Sequence, residues 1–348
     1  MACSRTLTRM LAAPLAVSTD LSAAFQLGPL AIGGLLYARR ARTLAEADHA
    51  VPGWRQACFY GGFVVIAAAL TSLGAASQDL LWVHMIEHLL LGDVAALLIV
   101  LGLTGPMLAP ILTFEVLGVR VFDRLRALSH PAIAFPLWMI DLYSWHLPVL
   151  YQAALRHSGV HALEHACFLG FGINMWMCLF GPLPTPSWFG NLGKLIYIVA
   201  VRLAGAALGN IFLWSGTVFY PYYLKGDAHY HISPLADQSI AGAVMMVEGS
   251  ILTLCLFCWL FMRAAREGEE RQDLLDYARA HGLELTEARA ARAVAAGRGG
   301  ELRGRLEALL VASPEAATSP QGEGGGRAGT PSAPPERLQS PLGAREPG

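Results

Sequence analysis

The chain reads as an all-α, polytopic membrane protein with seven transmembrane helices, its N-terminus outside and its C-terminus cytoplasmic. Three observations lead there. Hydrophobic residues fill 54% of the 348 positions and charged residues only 15%, with a mean hydropathy of +0.45, whereas soluble domains carry roughly 25% charged residues. Seven apolar windows approach the ~20 residues that a bilayer crossing needs. Lysine and arginine gather in alternate short loops, which marks one face as cytoplasmic.

The windows run from about 21 to 38, 56 to 74, 80 to 103, 132 to 149, 161 to 180, 194 to 214 and 237 to 262. The first has a short core, Phe25 to Ala38, holding Gly28, Pro29, Gly33 and Gly34, residues that spanning helices tolerate when neighbours satisfy the freed backbone groups. The turn-rich stretch Gly181-Pro-Leu-Pro-Thr-Pro186 stops the fifth window from running into the sixth. Arg39, Arg40, Arg42 and Arg55 lie between windows one and two, Arg120, Arg124 and Arg126 between three and four, and Lys194 before six. Arg263 and Arg266 follow window seven, while the opposite loops hold little more than Arg156 and Lys225. This asymmetry sets the orientation and places the chain in a cell inner (plasma) membrane, with lipid as its surroundings.

Four regions are expected. Residues 1–20 have a basic start and a short apolar run from Met10 to Val17, as an extracytoplasmic tail or a signal-like segment does. Residues 21–265 form the seven-helix domain. From Arg263 onward stand 12 basic and 13 acidic residues, about half of the chain's 25 and 26, so 266–312 reads as a charged cytoplasmic helical tail. Glycine, proline and serine then dominate 313–348, which reads as disordered. The net charge of −1 gives no basic excess, no Walker or dinucleotide glycine signature occurs, and no nucleic-acid partner is expected.

The chemistry centres on two similar strings at the starts of apolar windows, His84-Met85-Ile86-Glu87-His88 and His161-Ala162-Leu163-Glu164-His165. On a helix, positions four apart stack on one face, so each string presents two imidazoles and a nearby carboxylate on one stripe. The expected orientation puts eight of the eleven histidines at or near the outer face, a bias that points to a shared polar pocket beneath the outer surface. His84, His88, His161 and His165 are the first candidate metal ligands, with His146 as an alternative fourth or an added fifth. Glu87 and Glu164 are expected to orient the imidazoles by accepting their second ring N–H.

Imidazole suits copper, zinc or iron. This chemistry leaves copper, zinc and haem iron open as cofactors. Met85, Met245 and Met246 read as packing rather than thioether ligands. His-x-x-Glu-His is also the signature of one class of zinc protease, so a membrane zinc hydrolase is one alternative, and a bis-histidine haem protein is another. A hydrogen-bonded helix contact without metal is the third. Deeper in the bundle, Asp93, Asp141 and Arg202 lie near mid-membrane. They are expected to form a structural ion pair, Arg202 with Asp141 or Asp93, that fixes helix register; a proton or ion path is the competing reading. The pair Cys255 and Cys258 lies near the inner end of window seven, far from the histidines, and reads as packing.

Several ordered blocks resemble the CtaG family of integral-membrane cytochrome c oxidase assembly factors, the type linked to caa-type oxidases. They are His84-Met-Ile-Glu-His-Leu-Leu-Leu-Gly92 with Leu101-Gly-Leu-Thr-Gly-Pro106, then Trp145-His-Leu-Pro148 with Tyr151, Ala153 and Ala154, then the second histidine string, and finally Asp237-Gln238 with Ala241-Gly242. The chain departs from the pattern at Met245-Met246, where a tryptophan is expected after the methionine, and at Glu248. The resemblance implies copper as the cofactor and a non-enzymatic role in oxidase maturation at the stage of copper insertion, with cytochrome c oxidase subunits or copper chaperones as partners.

Overall fold

The computed structural model describes residues 21–312 apart from 117 and 187; the expectations for 1–20 and 313–348 lie outside the described residues. The chain is helical nearly throughout. Helix α1 (Leu21–Glu46) leads to α2 (Gly53–Ala68), which continues through a π-helical turn (Ala69–Leu73) into α3 (Gly74–Ser77). Next come α4 (Leu81–Leu89), a second π-helical segment (Leu90–Ala95) and α5 (Ala96–Gly102). Helix α6 (Gly105–Leu112), a two-residue hairpin of β1 (Glu115–Val116) and β2 (Val119–Arg120), and α7 (Val121–Leu128) make the following connection. Helices α8 (Pro131–Trp145), α9 (Pro148–Arg156), α10 (Ser158–Phe180) and α11 (Asn191–Trp214) follow. A 3-10 turn (Pro221–Tyr223), α12 (Leu224–Tyr230), the long α13 (Pro234–Ala280), α14 (Glu287–Ala295) and α15 (Gly299–Ala312) complete the described chain.

Among the described residues, five helical stretches are long and apolar enough to cross a membrane: Gly53–Leu73, Leu81–Gly102, Ser158–Phe180, Asn191–Trp214 and Pro234–Ala280. They correspond to windows two, three, five, six and seven. Window four differs from the sequence reading. Its helix α8 stops after 15 residues at Trp145. Leu147, held extended (φ −66°, ψ 133°) by the proline that follows it, opens α9. His146 therefore sits at a break between two helices rather than inside one span.

Contacts divide the chain into two units, one reaching Ala265 and one beginning at Arg266. In the first, one apolar cluster joins Met85, Trp138, Trp145, Phe168, Met175 and Phe212, and a second joins Tyr37, Phe59, Ile66, Ala95 and Ile99. The opposite faces carry exposed apolar side chains such as Leu35, Val64, Ile140, Leu203 and Leu254, as a helix bundle in lipid requires. In the second unit Leu274, Val294, Leu302 and Leu306 form a small core, and Arg271 lies 3.4 Å from Glu287. The tail expected to be helical over 266–312 holds the end of α13, then α14 and α15.

The two histidine-bearing helices meet through glycine. A Cβ on Gly172 of α10 would overlap the carbonyl oxygen of Gly92, so only glycine at 172 permits this backbone approach, the small-residue contact typical of membrane helices. Gly92 lies in the π-helical segment directly after His88, and Gly172 lies two turns beyond His165.

Candidate metal centre

Helix α4 carries the first string and α10 the second, and the glycine contact holds them side by side. Five side chains of the two strings, His84, Glu87, His88, Glu164 and His165, are buried, as is His146; His161 is half-buried. Helix α4 starts without a cap from its own preceding residue. Instead Asp237, far along the chain on α13, accepts hydrogen bonds from Leu81 N at 2.8 Å and Trp82 N at 3.1 Å. A carboxylate at a helix N-terminus satisfies orphan donors and complements the helix dipole. The same interaction fixes where His84 begins its stripe.

The strings then cross-pair. Glu164 Oε2 lies 3.8 Å from His84 Nε2 and 3.7 Å from His88 Nε2, and Glu87 Oε1 lies 3.6 Å from His165 Nε2. His84 Nε2 and His88 Nε2 are 2.8 Å apart. Ligands about 2.0–2.1 Å from one tetrahedral ion stand roughly 3.3 Å from each other, so these separations match the edges of a coordination sphere. His84, His88, Glu164 and His165 offer donor atoms that all lie within 4.8 Å of one another, and His84, Glu87 and His161 form a second such group.

Hydrogen bonding fixes which imidazole nitrogens are free. His84 Nδ1 lies 3.3 Å from Ser77 O and 3.1 Å from Tyr223 Oη. A carbonyl only accepts, so Nδ1 carries the hydrogen and Nε2 keeps its lone pair. His146 Nδ1 likewise donates to Leu142 O at 2.7 Å, leaving its buried Nε2 without a partner. Both are the arrangement that prepares an imidazole to bind a metal. Both oxygens of Glu164 and the Nε2 atoms of His161 and His165 are also buried without a hydrogen bond. A buried carboxylate that faces imidazoles at 3.7 and 3.8 Å without a hydrogen bond is poorly compensated, and a cation between them relieves it. The donor set therefore fits a metal ion.

An aromatic roof closes the site. Tyr151 stacks on Tyr220 with ring centroids 4.0 Å apart, Tyr151 and Tyr223 share a hydrogen bond of 3.1 Å, and Tyr220 donates to His146 O at 2.6 Å. Burial pushes the Tyr220 and Tyr223 phenols far above their ordinary range, so both stay protonated and serve as donors. Beside the roof, burial and the Asp237 carboxylate push the Asp227 carboxyl up to about 7.

The structure thus brings together His84, His88, His161 and His165, places His146 beside them with its ring 6.3 Å from that of His88, and turns both glutamates into the donor groups. Ser77 O, Tyr223 and Leu142 O also hold imidazoles in place, and Glu87 and Glu164 each face a histidine of the other string. His157 and His229 are exposed and belong to neither group. Tyr151, Tyr220, Tyr223 and Asp227 complete the surroundings. Of the roof residues, Tyr151 stands out in the sequence, in the block that follows Trp145-His-Leu-Pro148.

Mid-membrane, the expected ion pair is corrected. Arg202 Nη2 donates to Met246 O at 3.0 Å and to Ser250 Oγ at 2.8 Å, and it forms no salt bridge with Asp141 or Asp93. The neighbouring helix offers the Met246 carbonyl and the Ser250 hydroxyl, which itself donates to Met246 O at 2.6 Å, and these acceptors take the place of a carboxylate partner. Asp93, Arg202 and Glu248 line one cavity between α8, α10, α11 and α13, and Asp93, His88, His146 and Met245 line a smaller one. Cys255 and Cys258 are exposed on α13 with free thiols.

A family model, described as cytochrome c oxidase caa3 assembly factor (Caa3_CtaG), matches residues 35–267. That stretch contains both histidine strings, His146, the roof tyrosines and the Asp237 cap. The chain belongs to the Caa3_CtaG family. It is accordingly a cytochrome c oxidase assembly factor with membrane-crossing helices and a buried histidine and glutamate group able to hold a metal ion. No curated protein matches the chain, and no solved structure matches it.

Proposed function

We propose that this assembly factor holds copper through His84, His88 and His165 with Glu164, supported by His161, Glu87 and His146, and that it passes copper toward a metal centre of the maturing oxidase. The copper is cargo rather than a catalytic cofactor, and the protein is not an enzyme. The observation that carries the reading is Glu164, a buried carboxylate that makes no hydrogen bond and faces the Nε2 atoms of His84 and His88 at 3.8 and 3.7 Å. Family membership supplies the oxidase as the setting, and imidazole donors suit copper.

In this reading the chain crosses the inner (plasma) membrane seven times, with α1 and α8 adding to the five long apolar stretches. The amino terminus is outside and the centre lies beneath the outer surface. Its partners are cytochrome c oxidase subunits or a copper chaperone on that side. Two features favour copper storage over the alternatives. A haem needs a flat slot between α4 and α10, which the Gly92 and Gly172 backbones close below the rings. A zinc hydrolase keeps an open position for water and substrate, whereas Tyr151, Tyr220 and Tyr223 are almost wholly buried above this centre.

The test is elemental analysis of purified protein together with oxidase activity in membranes. His88→Ala is expected to lower both copper content and oxidase activity at normal membrane abundance. Unchanged copper and oxidase would refute the proposal.

A further inference from the structure

The donors around the two strings outnumber what one ion can use. A tetrahedral ion takes four ligands, and the group His84, His88, Glu164 and His165 already supplies them. An ion held there leaves Glu87 Oε2 and His161 Nε2 buried and unpaired. Those two residues, with His84, form the second convergent group. His84 is the one residue common to both, and its ring stands 5.3 Å from that of His161 and 4.3 Å from that of His88.

We propose that the centre holds two copper ions, the second bound by Glu87 and His161, while His84 gives its one free lone pair to the first ion and stands between the two positions. This rests on the metal reading above. Two arguments support it besides the donor count. Each position has one carboxylate, Glu164 in the first and Glu87 in the second, so two singly charged ions leave the buried centre neutral, as a low-dielectric site demands. Paired metal ions about 3.5–4 Å apart are an established arrangement where donors from facing elements share a site, and Glu87 Oε1 already reaches to within 3.6 Å of His165 Nε2 in the first group. His161 lies one helical turn before His165, with ring centroids 4.1 Å apart, so the two positions are adjacent rather than independent.

The experiment is anaerobic Cu(I) titration of the full chain in detergent against a competing chelator, with bound copper counted by elemental analysis. X-ray absorption of the loaded protein then reports metal-to-metal scattering. The expected result is two equivalents per chain, a copper-to-copper vector below about 4 Å, and one equivalent with no such vector in His161→Ala. His161→Gln and a melting curve of each variant check that the fold is kept; retention of one tight equivalent is itself a sign of an intact first position. A wild-type stoichiometry of one, or two equivalents retained in both folded His161 variants, would overturn the inference while leaving the single-ion reading intact. No bound copper at all would overturn both.

Discussion

Gly172→Ala tests the geometry without touching a donor. The new Cβ would collide with Gly92 O and fall 3.0 Å from the Gly92 carbonyl carbon and 3.1 Å from its Cα. Carbon atoms settle at about 3.5–4.0 Å, so α10 must retreat from the π-helical segment by roughly 1 Å. His165 lies about 10 Å away along α10, near enough that the retreat carries through. Pairs now at 3.7 and 3.8 Å, Glu164 with His88 and His84, would open well beyond the ~3.3 Å edge of a tetrahedral site. Overpacking of this kind costs about 1–3 kcal/mol, which is roughly 5- to 150-fold in copper affinity if it is expressed at the centre. Gly170→Ala is the control, because a Cβ there meets nothing within 4 Å. Copper titration alongside membrane abundance is the assay. Wild-type affinity in Gly172→Ala, or an equal loss in Gly170→Ala, would refute the reasoning.

Glu164→Gln keeps the side chain's size but removes the negative charge facing His84 and His88, and should lower copper affinity about tenfold or more; unchanged affinity at normal membrane abundance would contradict this. Asp237→Ala removes the distant cap of α4 and should cost about 1–2 kcal/mol by thermal or chemical unfolding, as helix-cap deletions do. Asp227 gives a pH signature. Its carboxyl is held near 7 in the folded protein against about 3.9 when unfolded, so the native state keeps a proton over that interval. Its contribution to stability is therefore greatest below about pH 4 and is lost as pH rises to about 7. Melting temperatures of wild type and Asp227→Asn across that interval should diverge with rising pH, wild type falling relative to the variant, and parallel curves would exclude the role.

Much of this was legible in the sequence, because bilayer burial makes every ionisable residue conspicuous. His84, His88, His161 and His165 converge as four-residue spacing on two helices requires, and His146 joins them from a third. The role of the glutamates was not legible. Spacing shows that Glu87 and Glu164 share a face with their own histidines, but the face each carboxylate serves belongs to the other helix, and only the packing at Gly92 and Gly172 reveals that. The Arg202 pairing failed for a similar reason. Depth along a span can be counted from residue numbers, whereas rotation about the helix axis decides that Arg202 meets Met246 O and Ser250 rather than Asp141. The break at Leu147-Pro148 was visible as a proline, yet apolar continuity through residue 149 concealed that α8 ends at Trp145 and leaves His146 at a corner.

The widened turn from Leu90 to Ala95 adds one residue to a ladder that would otherwise advance about 100° per step. What this stretch encodes is therefore a count as much as a set of side chains. Removing one residue from it would let the helix close into regular form and keep Ala96–Gly102 nearly in phase, because the six residues of the wide turn sweep about the same angle as five of a regular α-helix. The imidazoles upstream would keep their phase. A shortening here and a changed donor side chain are thus separable, the first sparing both the imidazoles and the phase of the helix beyond them.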